Sequence, residues 1–248
     1  MRDASAIEIS RWCPGVTDLG AICILGRGIE KVQTRAGFVW RPTRYIEKPT
    51  ASGAHSGWRV PANPNDDCSI IAGAHANVIG GCELFHVSQR TCSGPKLVIF
   101  AAGRPAYLAA EPDPMLTEGR VLREAFVRRA QPSTDVEIII LSRNRDTRDD
   151  IDQTIRLAAD RHIATVGIIT VNIHLSRTIE FARRAAWDGK PIHLVFIGAE
   201  ELLAERYAKR SRVLATLGGV TETAAYRRTL AREESGLLAL LEGRYKRS

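Results

Sequence analysis

The chain has 248 residues, 44% of them hydrophobic and 25% charged, with a net charge of +7. This is an ordinary globular composition, which excludes low-complexity and collagenous chains. The longest apolar runs, such as VEIIIL at 136–141, are strand-sized and far too short to cross a bilayer.

No basic-then-apolar leader opens MRDASAIEIS, so a cytoplasmic location is expected. GAICILGRG (20–28) then reads as an apolar strand ending in Gly-x-Gly. Residues 29–66 are rich in Gly, Pro, Trp and Arg without clear periodicity, and read as an insertion at the ligand end of that strand. Insertions of that length are usually functional or carry small elements of their own. A helix rich in small residues is expected from about Asp67 to Gln89.

From residue 96 the pattern becomes regular. KLVIFAAG (96–103) reads as a buried strand, and MLTEGRVLREAFVRRA (115–130) as a helix. DVEIIILS (135–142) is continuous and β-branched, as in a strand covered on both faces. TRDDIDQTIRLAADRH (147–162) sets Ile151, Ile155, Ala158 and His162 along one helical face. ATVGIITV (164–171) is a strand, HLSRTIEFARRAA (174–186) a helix and PIHLVFIG (191–198) a strand. Residues 199–243 read as helix in two pieces broken near LGGV at 217–220. Strands alternating with helices of this length imply βαβ units. The expected fold is α/β: a doubly wound, mostly parallel, Rossmann-like sheet of five or more strands. Residues 1–200 would form this domain, with 201–248 as a helical extension packed on it.

The five cysteines are odd in number and form no CxxC pair, so reduced thiols are expected. Cys82 and His86 fall four apart on a helix, but one pair does not make a metal site. The basic excess is spread through helical stretches, with a cluster in RYKRS at 244–248. No aromatic-rich basic stripe accompanies it, so nucleic acid is not an expected partner.

Ligands of open parallel sheets bind beyond the carboxyl ends of the strands. There the sequence places Gly26-Arg27-Gly28, then Gly103-Arg104 and, further on, Thr117-Glu118. Asn144, Asp146, Thr147, Asp149 and Asp150 follow the third strand, and Thr170, Asn172, His174 and Arg177 the fourth. Aspartates at a helix start gain dipole energy and need no further reason to be there. Adjacent Asp149 and Asp150 point about 100° apart on a helix, so no metal is expected. His174 and Arg177 differ, because cations at a helix start lose dipole energy. An anion bound between them would account for the pair.

These motifs resemble, in order and spacing, those of the YdcF-like family, which includes the SanA and ElyC envelope proteins. ILGRG (24–28) and AAG (101–103) are similar to its two glycine turns, and TEG (117–119) stands for its Ser-Glu-Ala. NRDTRDD (144–150) stands for Ser-x-Asn-Thr-x-Glu-Asn, and TVNIHLSRT (170–178) is similar to Thr-Ser-x-x-His-x-x-Arg-Ala. Asn144 replaces the family's Ser, Asp150 its Asn, and the second glycine pair keeps only Gly103. The resemblance covers about residues 20–200 without 29–66. It implies a Rossmann-like fold and, in one branch of the family, S-adenosylmethionine as cofactor; other members serve envelope polysaccharide maintenance.

The expected partner is an anionic, nucleotide-like or phosphorylated small molecule. Arg27, Arg104 and Arg177 would hold the anion, since a guanidinium grips a phosphate or carboxylate through two bonds. Gly26, Gly28 and Gly103 would let backbone N–H groups approach, with Asn144, Thr147 and Thr170 beside them. Asp146 or Asp150 would accept from sugar hydroxyls. His174 is the candidate acid or base, with Glu118 as its carboxylate partner. The reaction class is transfer or hydrolysis. The alternative is a non-catalytic metabolite-sensing or partner-binding module using the same crevice.

Overall fold

Four segments have an uninterrupted run without a charged or polar side chain at their centre: AICIL, LVIFA, TVGIIT and IHLVFIG. Such strands must be covered on both faces, which selects the middle of a parallel sheet. In the computed structural model, which describes residues 7–13, 18–44, 73–91, 94–207 and 224–245, they occupy that position. They are β2 (Ala21–Leu25), β5 (Leu97–Ala101), β7 (Thr165–Thr170) and β8 (Ile192–Gly198). Two further strands, β1 (Ile7–Arg11) and β6 (Glu137–Ile140), form the edges of a six-stranded sheet ordered β1-β8-β7-β2-β5-β6. Every pairing in it is parallel.

The helices divide between the two faces. α1 (Ala74–Thr91), α2 (Glu118–Ala130) and α5 (Ala199–Tyr207) cover Ile22, Ile24, Val98, Phe100, Ile169 and Ile197. Phe126 sits edge-on to both Phe85 and Phe100, at 5.6 and 5.5 Å between ring centres. α3 (Thr147–Asp160) and α4 (Asn172–Arg183) cover Cys23, Leu25, Ile99, Ile168 and Phe196. The last helix, α6 (Ala224–Leu241), adds Leu240 to this second core and packs on α4. The fold is a doubly wound, Rossmann-like α/β sheet. Its winding reverses between β2 and β7, where such sheets open a crevice.

Some local expectations need correction. The 135–142 strand is shorter, Glu137–Ile140, and lies at an edge, where its three isoleucines are only half-buried and Glu137 is exposed. Within 29–66, residues 29–42 form an antiparallel hairpin, β3 (Ile29–Thr34) and β4 (Gly37–Pro42), while 45–66 lie outside the described residues. The expected helix from Asp67 is described from Ala74. The break near 217–220 also lies outside the described residues. The N-terminal strand β1 was not expected; it pairs with β8, and Ser10 Oγ meets His193 Nε2 at 2.7 Å. Among the described residues no helix is long and apolar enough to cross a membrane.

Candidate functional site

The turns after β2, β5 and β6 border a small polar cleft of about 140 Å³. Of the residues singled out in the sequence, Gly26, Gly103, Arg104, Glu118, Asn144, Asp146, Thr147 and Asp150 line it. Its closeness depends on two glycines. A side chain at Gly26 would collide with the Glu118 carboxylate and stand 2.6 Å from Ala102 Cβ. One at Gly103 would run into the Asn144 carbonyl.

The three arginines expected to hold an anion are engaged within the protein. Arg104 uses all four Nη hydrogens on backbone carbonyls of its own loop: Nη1 on Asp113 and Leu116 at 2.6 and 2.8 Å, Nη2 on Leu108 and Glu111 at 2.6 and 3.1 Å. It organises residues 104–116 and holds no ligand through those bonds. The Gly26 N–H donates to Ala101 O, and the Gly28 N–H to Glu118 Oε2 at 3.1 Å. Gly28 has φ +95°, a conformation that suits glycine. Glu118 therefore ties the start of α2 to the turn after β2, and is not the partner of His174.

That partner is Glu233, on α6. Its Oε2 accepts from His174 Nδ1 at 2.9 Å. Arg177 Nε stands 2.9 Å from the same oxygen, and Arg27 Nη1 3.0 Å from Oε1. The carboxylate of α6 thus occupies the place expected for a bound anion, and Arg27 and Arg177 hold it. A side chain at Gly236, one turn on, would stand 3.1 Å from Arg177 Nη1, so the bare helix face there admits the guanidinium. Burial alone would raise the Glu233 carboxyl; the His174 hydrogen bond and the nearby cations outweigh it and hold the pKa at about 2. Burial, reinforced by Arg27 and Arg177, lowers His174 to about 4 against the opposing pull of Glu233. The imidazole is therefore neutral near pH 7, with the proton on Nδ1 facing the ionised carboxylate.

The other imidazole nitrogen, Nε2, lies 3.3 Å from Thr147 Oγ1. Thr147 lines the cleft, so a chain of contacts runs from Glu233 through buried His174 to a hydroxyl at its wall. Thr147 opens α3 just after the cap, in which Asp146 Oδ1 accepts from the Asp149 N–H at 2.9 Å. Asp150, one turn along, is bonded by Asn144 Nδ2 at 2.8 Å. Burial, then the charges of Glu118, Asp146 and Asp149, push its carboxyl well above the usual range, against the pull of the Asn144 amide. Asp150 is buried with Oδ1 taken by Asn144, whereas Asp146 spends one oxygen on the cap.

α4 has no side-chain cap of its own; Glu200 of α5 takes the Asn172 N–H at 2.7 Å instead. Thr170 is fully buried at the end of β7, and its Oγ1 has no hydrogen-bond partner among the described residues. Cys82 is buried in the first core. Among the described residues no group of three or more His, Cys, Asp or Glu is placed to hold a metal ion.

The chain matches no protein-family model, no curated protein and no solved structure.

Proposed function

We propose that this chain is a small-molecule enzyme of the hydrolysis or transfer class, with His174 as its general base. The observation that carries the reading is the contact chain Glu233–His174–Thr147 ending at the cleft. An ionised carboxylate on Nδ1 fixes the tautomer that leaves Nε2 free to accept a proton, the arrangement that makes histidine a base in hydrolytic enzymes. The motif that most resembles the YdcF-like pattern, TVNIHLSRT, supplies His174, and the more degenerate NRDTRDD supplies Thr147. The cleft is smaller than the roughly 300 Å³ at which sites for drug-sized ligands begin. It suits a sugar-sized polar molecule or the reacting end of a larger one, and lends no support to a wholly enclosed S-adenosylmethionine.

Thermal shift against a panel of sugars, sugar phosphates, nucleotides and short esters, followed by turnover assays on every hit, tests this. His174→Gln should retain the binding shift and lose turnover. Turnover unchanged in that variant would reject His174 as the base.

One observation favours the non-catalytic alternative. The carboxylate of Glu233 is shared by Arg27, His174 and Arg177, so the cluster also serves as a clamp fastening α6 to the strand ends. In a pure clamp, His174→Gln would lower stability, and no ligand in the panel would be turned over.

A further inference from the structure

We propose that Thr147 is a nucleophile, forming a covalent ester with the acyl group of a small, uncharged ester substrate. This rests on the reading of His174 as a base and goes beyond it by naming the attacking atom and the electrophile.

Three features converge on Thr147 Oγ1. The first is the acceptor nitrogen of His174 at 3.3 Å, within the looser range seen when a nucleophile and its base stand in an unliganded site. The second is exposure: Thr147 is half-buried and borders the cleft, whereas His174 is buried behind it. The third is the helix start. Asp146 takes the Asp149 N–H, and the first backbone bond of the helix runs from the Asp150 N–H to the Asp146 carbonyl. The amides of Thr147 and Arg148 have no acceptor among the described residues. They flank the proposed nucleophile at the positive end of a 14-residue helix, where an oxyanion formed next to Oγ1 would be stabilised.

The charges select the electrophile. Glu118 and Asp146 border the cleft; of the two guanidiniums at its wall, Arg104 spends its Nη hydrogens on carbonyls and Arg145 turns its Nε to Asp149, while Arg27 and Arg177 are held by Glu233. A dianion there would face both carboxylates. A neutral acyl carbonyl develops one negative oxygen, which two amides can hold.

The step balances without a further reactant. The Thr147 hydroxyl proton passes to His174 Nε2 as Oγ1 bonds to the carbonyl carbon, and the carbonyl electron pair moves to its oxygen. When that pair returns, the bond to the alcohol oxygen breaks, and the alcohol leaves with the proton from Nε2. Water then repeats the sequence: its proton goes to Nε2, its oxygen bonds to the acyl carbon, and Thr147 Oγ1 leaves and recovers the proton. The net change is ester plus water to acid plus alcohol.

p-Nitrophenyl acetate tests this on the whole chain. The expected result is a burst of nitrophenolate and one added acetyl group, mapped to Thr147 by peptide mass spectrometry and removed by hydroxylamine. Thr147→Ser should keep the burst, and Thr147→Val should lose about a hundredfold or more in acylation rate with melting unchanged or nearly so. Glu233 is a positioning residue here: Glu233→Gln should shift the acidic limb of the acylation profile to lower pH, because the carboxylate raises the imidazole pKa. Acetyl groups only on lysine, no acylation at all, or equal acylation of Thr147→Val would overturn the proposal. If Thr147→Val still turns over substrate and His174→Gln does not, the covalent route fails while the base assignment stands.

Discussion

Glu233 Oε2 lies 2.9 Å from His174 Nδ1, although the two residues are 59 positions apart and belong to different helices. The same carboxylate faces Arg27 and Arg177. One acidic side chain therefore joins the turn after β2, the start of α4 and the middle of α6, and its removal should be felt at all three.

Glu233→Ala should destabilise the protein by roughly 3 kcal/mol, the usual cost of leaving buried partners of an ion pair without their counter-charge. Glu233→Gln, which keeps an acceptor oxygen, should cost less. The neighbouring Glu234 is exposed, and Glu234→Gln should stay within about 0.5 kcal/mol. Urea denaturation of the three variants provides the comparison; equal effects at 233 and 234 would contradict the clamp.

The stability contributed by His174 should be lost as the medium is acidified from neutrality. In the unfolded chain His174 binds a proton near 6.5, but in the folded protein only near 4. Between those values the unfolded state holds more protons, so folding weakens as pH drops. Glu233 acts in the same direction between 4.5 and about 2. The loss from His174 should be on the order of 2–3 kcal/mol, and His174→Gln should flatten the slope between pH 7 and pH 4. Asp150, with its raised carboxyl, acts in the opposite direction in both proteins, so an equal slope in wild type and His174→Gln is the result that would refute the buried neutral imidazole.

Gly26→Ala should cost about 1–3 kcal/mol, the range for overpacking a close contact. The added methyl collides with Glu118 and Ala102 and must displace the carboxylate that accepts from Gly28. Amide exchange at Gly28 is the local readout: it should accelerate in the variant, and an unchanged rate would mean that Glu118 is not the acceptor.

Arg104→Lys should not substitute for arginine. An ammonium has three donors on one atom and cannot span the four carbonyls of residues 108, 111, 113 and 116. Limited proteolysis should open the 105–116 loop in both Arg104→Lys and Arg104→Ala, with cleavage in the lysine variant at least half as fast. Protection equal to wild type would show that the loop is held by other contacts.

How far the sequence revealed this molecule depended on whether the deciding interaction was local. The central strands announced themselves because burial on two faces demands an uninterrupted apolar run, as in LVIFA and LVFIG. β6 carried the same composition in EIII, yet only its place in the strand order makes it an edge. β1 is short, and three of its five residues are polar or charged; nothing in IEISR names β8 as its partner. The site divides in the same way. Asp146 and Thr147 were visible as the opening of a helix, and His174 as a residue whose placement ran against the dipole. Glu233 was invisible: in REES (232–235) it differs from Glu234 only by facing inward, a choice made when α6 docks. The arginines were identified as cations in the right region, but their acceptors are a distant carboxylate and the carbonyls of an irregular loop, neither of which spacing reveals.

The parallel pairing of β1 with β8 bears on the order in which the molecule is assembled. Ser10 and His193, which touch across that pair, are separated by 183 positions. During synthesis β1 leaves the ribosome long before its neighbour exists, and must wait for β8 until the 183 positions between them have been added. Contacts so distant along the chain form slowly. The edge strand is accordingly a late addition to a sheet already built from its middle outward, and the segment to watch for entanglement with other nascent copies.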